Sequence, residues 1–206
     1  MNKQHPVIVI GRSFGAGGKA IAKCLSAKLD MPVYDKELLK EAAKEFGFSH
    51  DLFLKADEKR PSMFRRLVAQ MYGLQDAYMA DTLSSENLYQ AQSQIIRAIA
   101  ERGPSIIVGR SADYILRDFP RLISVFVHAP LAYRASKIVE RGDSKDELEA
   151  MELARQKDKH RQEFYNYFTG REWGVASNYD LTLDSSLLSP EKNAEIVAFY
   201  LQNRFA

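Results

Sequence analysis

An unbroken apolar run, Val7-Ile8-Val9-Ile10, leads directly into Gly11-Arg12-Ser13-Phe14-Gly15-Ala16-Gly17-Gly18-Lys19. Few local structures accommodate that order. The β-branched run reads as a buried strand, and the glycines free the backbone to turn sharply before a helix starts. At such a turn successive N–H groups face inward around an anion, and the helix N-terminus adds about half a positive charge. The segment therefore predicts a strand over 6–11, a phosphate-cradling loop and a helix over about 17–29 with Ile21, Cys24, Leu25 and Leu29 on its apolar face. Gly15, Ala16, Gly17 and Gly18 are the candidate backbone cradle, with Arg12 and Ser13 at its mouth. The P-loop pattern G-x-x-x-x-G-K-[ST] falls on Ser13 through Ala20, with serine for the first glycine and alanine for the final hydroxyl residue. Lys19 is placed to reach the β- and γ-phosphates of ATP; a solvated lysine at a helix start is the alternative.

The rest of the chain extends the same architecture. Short apolar segments at 32–34, 105–108, 122–128 and 179–183 read as further strands. Helices are expected at 36–46, from Ser84 or Ser85 to about Arg102, over 131–168 with a break near Arg141-Gly142-Asp143, and at 190–204. Residues 49–82 read as irregular helix. Fully apolar strands alternating with helices predict an α/β fold of three layers, with about five parallel strands covered by helices on both faces. The 206 residues suit one domain, with a helical insert at about 49–83 and a lid at about 140–170.

Charge and cysteine content narrow the function. The 29 basic and 27 acidic residues leave a net charge of +2, which argues against nucleic acid or a membrane surface as partner. Cys24 is the only cysteine, so an internal disulfide and a cysteine-cluster zinc site are excluded, and a small packed residue is the expected role. The apolar run at 6–10 is too short for a signal or a membrane span, and a cytoplasmic location is expected. His5, His50, His128 and His160 have no metal-ligand spacing, and the metal ligands stay unassigned.

Ligands of parallel sheets sit at the carboxyl ends of the strands. Those ends carry Gly11-Arg12, Tyr34-Asp35, Gly109-Arg110 and His128. Arg110 follows a buried strand and a glycine, and its fork suits a phosphate. Asp35 reads either as a contact to an acceptor or a metal-bound water, or as the cap of the next helix. Asp113 reads either as an acceptor contact or as a helix-start cap. Arg65 and Arg66 read as a solvated pair. In 155–161, Arg155, Lys157, Asp158 and Arg161 recur at helical spacing and form one charged surface; arginines on a closing lid can stabilise the charge of a moving phosphoryl group. Arg134 and Arg141 flank the region. An ordinary solvated helix is the plainer reading. The aromatic residues Phe164, Tyr165, Tyr167, Phe168 and Trp173 read as packing rather than base stacking.

These pieces together resemble the cytidylate kinase-like family, a branch of the P-loop nucleoside monophosphate kinases. The likeness rests on 12–19, on Val33-Tyr34-Asp35-Lys36-Glu37, on Ile106 through Asp113, on Ala129 through Arg134, on Asp158-Lys159-His160-Arg161 and on Tyr179-Asp180-Leu181. It implies a five-stranded parallel sheet, an acceptor-binding helical region, a mobile lid, and transfer of the γ-phosphoryl of ATP to CMP or dCMP with Mg²⁺. Lys19, Arg134 and Arg161 would then be catalytic, Asp35, Arg110 and Asp113 would hold the acceptor, and Arg155, Lys157 and Asp158 would belong to the lid. When the helix is aligned through Ala22-Lys23 and Leu25 with ordinary nucleoside monophosphate kinases, Gly18 takes the lysine position and Lys19 the hydroxyl position. Two other readings remain open: a nucleotide-binding sensor without chemistry, and a P-loop kinase for a non-nucleotide small molecule.

Overall fold

The computed structural model describes residues 5–35 and 85–206. The chain divides into two compact units, residues 1–35 with 103–206, and residues 36–102. The first unit holds strands β1 (Val7–Arg12), β2 (Val33–Tyr34), β3 (Ser105–Val108), β4 (Leu122–His128) and β5 (Leu181–Asp184). They form one parallel sheet in the order β2-β3-β1-β4-β5. Its helices are α1 (Gly18–Leu29), α3 (Ala112–Ile115), α4 (Leu131–Glu140), α5 (Glu147–Thr169) and α6 (Pro190–Arg204), with a 3₁₀ turn at Ala176–Asn178 before β5. From the second unit the described element is α2 (Ser85–Arg102), with Ala91, Ile95, Ile96 and Ile99 buried along it. The expected helix at 36–46, the insert at 49–83, His50 and Arg65 with Arg66 lie outside the described residues.

The central strand explains the burial. Ile8 and Ile10 join a core cluster with Ile21 and Leu25 of α1, Ile106, Val125 and Val197 of α6. Val7 and Val9, which point the other way, are also fully buried, so neither face of β1 meets water. Because β3 lies on one side of β1 and β4 on the other, the strand order reverses around β1. A crevice opens at its carboxyl end.

Two boundaries shift for local reasons. β1 extends to Arg12, which pairs with Val127. β5 begins at Leu181 rather than 179, because the Asp180 carboxylate takes the Ser124 N–H and hydroxyl at 2.8 Å each, while the Tyr179 ring packs on Phe126. The helix break near 142 is real: α4 ends at Glu140, Gly142 has φ of 78°, and Asp146 caps α5 by accepting from Glu149 N at 2.8 Å. Cys24 is half-buried against the core and its thiol donates to Glu191 Oε1; burial pushes its pKa up, which disfavours the thiolate. Phe164 is buried beside Phe168, and Trp173 meets Phe126 edge-on, so these rings pack. Among the described residues no helix is long and apolar enough to cross a membrane.

Candidate active site

The loop after β1 is held from three directions. Ser13 N donates to Val127 O at 3.0 Å, and Ser185 Oγ, just past β5, donates to Ala16 O at 2.8 Å. Gly15 sits at φ 83° against α4, where a Cβ would come within 2.9 Å of Arg134 O and 3.0 Å of Ile138 Cδ1. Gly17, at φ 76°, is the residue before α1, and no side chain caps that helix. Asp146 and Ser189 do cap α5 and α6. Gly17, Gly18 and Lys19 at the start of α1 line a cavity of about 620 Å³, together with the rest of the loop, Tyr133 and Arg141 near α4, Arg161 of α5 and Pro190 of α6.

Arginines from separate elements converge over the loop. Asp158 is their hub: it accepts from Phe14 N at 2.7 Å and pairs with Arg134 Nη1 at 2.6 Å and Arg161 Nη1 at 3.7 Å. Arg134 also donates to Ala129 O and Phe14 O, each at 3.0 Å. Arg161 Nη1 donates to Arg12 O at 2.9 Å. Arg141 and Arg161 lie over the Phe14 ring, at 5.3 and 5.5 Å. Burial, then repulsion from Arg161 and Arg110, lowers the Arg12 pKa to about 9, with Asp35 and Asp158 opposing. Burial lowers Arg161 to about 10; Asp158 opposes this, while Arg110, Arg134 and Arg141 add to it. Both guanidinium groups stay charged at neutral pH, in a positive field that an anion would relieve.

That field has a consequence for stability. A cation with a depressed pKa costs folding free energy wherever it is charged, which for Arg12 means at any pH below about 9. An anion seated among the arginines offsets this cost. Pyrophosphate at 100 times its Kd is expected to stabilise the protein by about 2.7 kcal/mol. The readout is a rise in Tm at pH 7 that shrinks as salt is added. An unchanged Tm would contradict the anion site.

The remaining expected residues fall into two groups. Lys19 and Asp35 come together, with Nζ 2.6 Å from Oδ2, although the lysine side chain is 64% exposed. Arg110 lies close enough to Arg12 and Arg161 to depress both, and its backbone is unusual: Gly109, Arg110 and Ser111 have φ of 77°, 65° and 52°. Left-handed conformation at the two non-glycine residues costs on the order of 1–3 kcal/mol each, a strain that tends to sit at functional sites. Asp113 is buried and accepts from Tyr165 Oη at 2.7 Å, which joins α3 to α5; burial raises its pKa. Arg155 is exposed beside Glu152 and Lys157 is half-buried, whereas Asp158 and Arg161 face the loop. Sequence gives Phe14 and Ser185 no distinct role, and Gly109 only that of the glycine before Arg110. Their roles depend on partners more than 100 residues away in the first two cases, and on the path of Arg12 in the third.

The donor set does not fit a divalent ion held by the chain itself. Neither Lys19 nor Ala20 offers a hydroxyl at the metal-binding position. Among the described residues the nearby carboxylates, Asp35, Asp158 and Glu140, are engaged by cations. Among the described residues no three His, Cys, Asp or Glu side chains gather as a metal cluster.

Comparison with known proteins bears on the fold and the family. Cytidylate kinase of Pyrococcus horikoshii is 24% identical over 192 residues, covering 93% of this chain and 85% of its own. A structure of an uncharacterized protein from Eubacterium ventriosum superimposes with a TM-score of 0.72 at 26% identity, covering 96% of this chain and 98% of that one. Shikimate kinase from Acinetobacter baumannii shares the fold, with a TM-score of 0.54 at 12% identity, covering 99% and 97% of the two chains. A P-loop kinase fold and a phosphotransferase lineage follow. Residues 7–187 match the cytidylate kinase-like family, and the chain belongs to that family.

Proposed function

We propose that this protein transfers the γ-phosphoryl group of ATP to a nucleoside monophosphate, with CMP or dCMP as acceptor. The observation that carries the reading is the gathering of Arg12, Arg110, Arg134 and Arg161, from four separate parts of the chain, beside a glycine loop whose helix start has no side-chain cap. Phosphoryl transfer needs positioning and charge stabilisation more than covalent chemistry. The loop amides would hold the donor phosphates, with Lys19 beside them at the start of α1. Arg110, after β3, would take the acceptor phosphate, with Asp35 and Asp113 on that side. Arg134 and Arg161, tethered by Asp158, would stabilise the group in flight. Arg155 and Lys157 would move with α5 as it closes over the nucleotide.

A coupled assay with ATP, Mg²⁺ and each nucleoside monophosphate tests this. Turnover with CMP or dCMP above the other monophosphates is expected. Absence of turnover with every monophosphate would contradict it. A second reading, a nucleotide-binding sensor without chemistry, is favoured by one observation, the missing hydroxyl at 19–20. Calorimetry separates the two, because a sensor binds ATP while transferring nothing. Turnover on a small-molecule hydroxyl instead would point to a third, non-nucleotide kinase.

A further inference from the structure

Two glycines on separate elements clear the path of a single side chain. A Cβ at Gly18 would lie 3.0 Å from Arg12 Cβ and 3.1 Å from Arg12 Cγ. Gly18 is the first residue of α1 and, unlike Gly15 and Gly17, has no positive φ, so its backbone does not require glycine. The room a side chain would use there is filled by the Arg12 stem. Further along, a Cβ at Gly109 would lie 1.8 Å from Arg12 Nη1 and 2.9 Å from Cζ, so the guanidinium runs across the carboxyl end of β3. Aligned through Ala22-Lys23 and Leu25, Gly18 also falls at the phosphate-binding lysine of ordinary nucleoside monophosphate kinases.

We propose that Arg12 does the work of that lysine: the cation that bridges the donor phosphates comes from the end of β1 instead of the first turn of α1. The inference deepens the kinase reading above and rests on it. Geometry supports it in three ways. Arg12 lines the same cavity as the loop amides. Its carbonyl is gripped by Arg161 Nη1 at 2.9 Å, which ties it to the helix carrying the other catalytic candidate. Lys19, the competing cation, has its ammonium group on Asp35 and mostly in solvent. A guanidinium fork can also span two phosphate oxygens at once, which an ammonium does as a point charge. A side chain at 18 would press on the Arg12 stem and require it to give way.

The test is a charge-relocation series on the full chain: Arg12→Ala, Gly18→Lys, the double variant Arg12→Ala/Gly18→Lys, and Lys19→Ala. Calorimetry reads binding of ATP and of adenosine, a coupled assay reads turnover, and a thermal melt confirms folding. Arg12→Ala is expected to weaken ATP binding by about 10- to 100-fold while leaving adenosine binding within about twofold, because a charged contact to phosphate is lost. Gly18→Lys alone is expected to impair ATP binding through collision with Arg12. The double variant is expected to recover at least about tenfold of the Arg12→Ala loss. Lys19→Ala is expected to cost less than Arg12→Ala. An active wild type whose Arg12→Ala variant keeps its ATP affinity would overturn this inference alone. So would a folded double variant no better than Arg12→Ala when Gly18→Lys alone binds ATP normally. A wild type that neither binds ATP nor turns over would overturn the kinase reading and this inference with it.

Discussion

Arg161→Ala is expected to lower kcat by about 1000-fold, with a much smaller change in KM for ATP, because an arginine over the transferring group acts in the transition state. The expectation follows from where the side chain is held. Arg161 Nη1 bonds the carbonyl of Arg12 at the end of β1, and its guanidinium lies over Phe14, in the loop itself. Arg110, Arg134 and Arg141 press upon it electrostatically, so its charge is held where charge of its own sign is crowded. Such a preorganised cation is worth most to a group that gains negative charge during reaction. Arg161→Lys keeps a charge without the fork and is expected to recover only part of the rate. A thermal melt distinguishes a lost catalytic contact from a lost fold. An Arg161→Ala enzyme within about threefold of wild type in kcat would remove this residue from the mechanism.

Asp158→Ala is expected to destabilise the protein by about 3 kcal/mol, seen as a lower urea midpoint at unchanged slope. In one substitution Phe14 N and Arg134 lose a hydrogen-bond acceptor, and Arg161 loses an ion-pair partner at 3.7 Å. The Arg134 and Asp158 side chains are only 12% and 17% exposed, so water replaces little of what is lost. The arginines are then left facing one another with less opposing charge. Pyrophosphate supplies that charge, so it is expected to raise the Tm of Asp158→Ala more than that of the wild type. A loss below about 0.5 kcal/mol, or an equal pyrophosphate shift in both proteins, would show that Asp158 is not the hub the geometry makes it.

The parts of this site that sequence conveys are the local ones. The glycine loop is legible because its strand, turn and helix are contiguous, and the strand ends are legible because each apolar run stops at a polar residue. Arg110 reads as a cation at one of those ends, Arg161 as part of a charged helix and Arg134 as a cation flanking it. What the chain order conceals is the set of long-range exchanges. Phe14 N finds its acceptor 144 residues away on Asp158. Ser185 holds Ala16 from 169 residues away. Gly18 reads in sequence as part of the backbone cradle, and only the path of Arg12 shows that a Cβ there would press on another side chain. Asp113 reads as an acceptor contact or a cap, while its hydrogen bond to Tyr165 lies in the tertiary packing. The late start of β5 has the same origin, since a carboxylate from residue 180 occupies the donors of Ser124.

A crystal structure with a non-hydrolysable ATP analogue, Mg²⁺ and CMP tests the central claim most directly. The account predicts the β- and γ-phosphates within hydrogen-bond distance of the amides of Gly15 to Lys19, the guanidinium of Arg12 on those phosphates, and Arg161 between donor and acceptor. A nucleotide bound elsewhere, with the loop amides turned away from it and Arg161 still paired only with Asp158 and Arg12, would contradict the account.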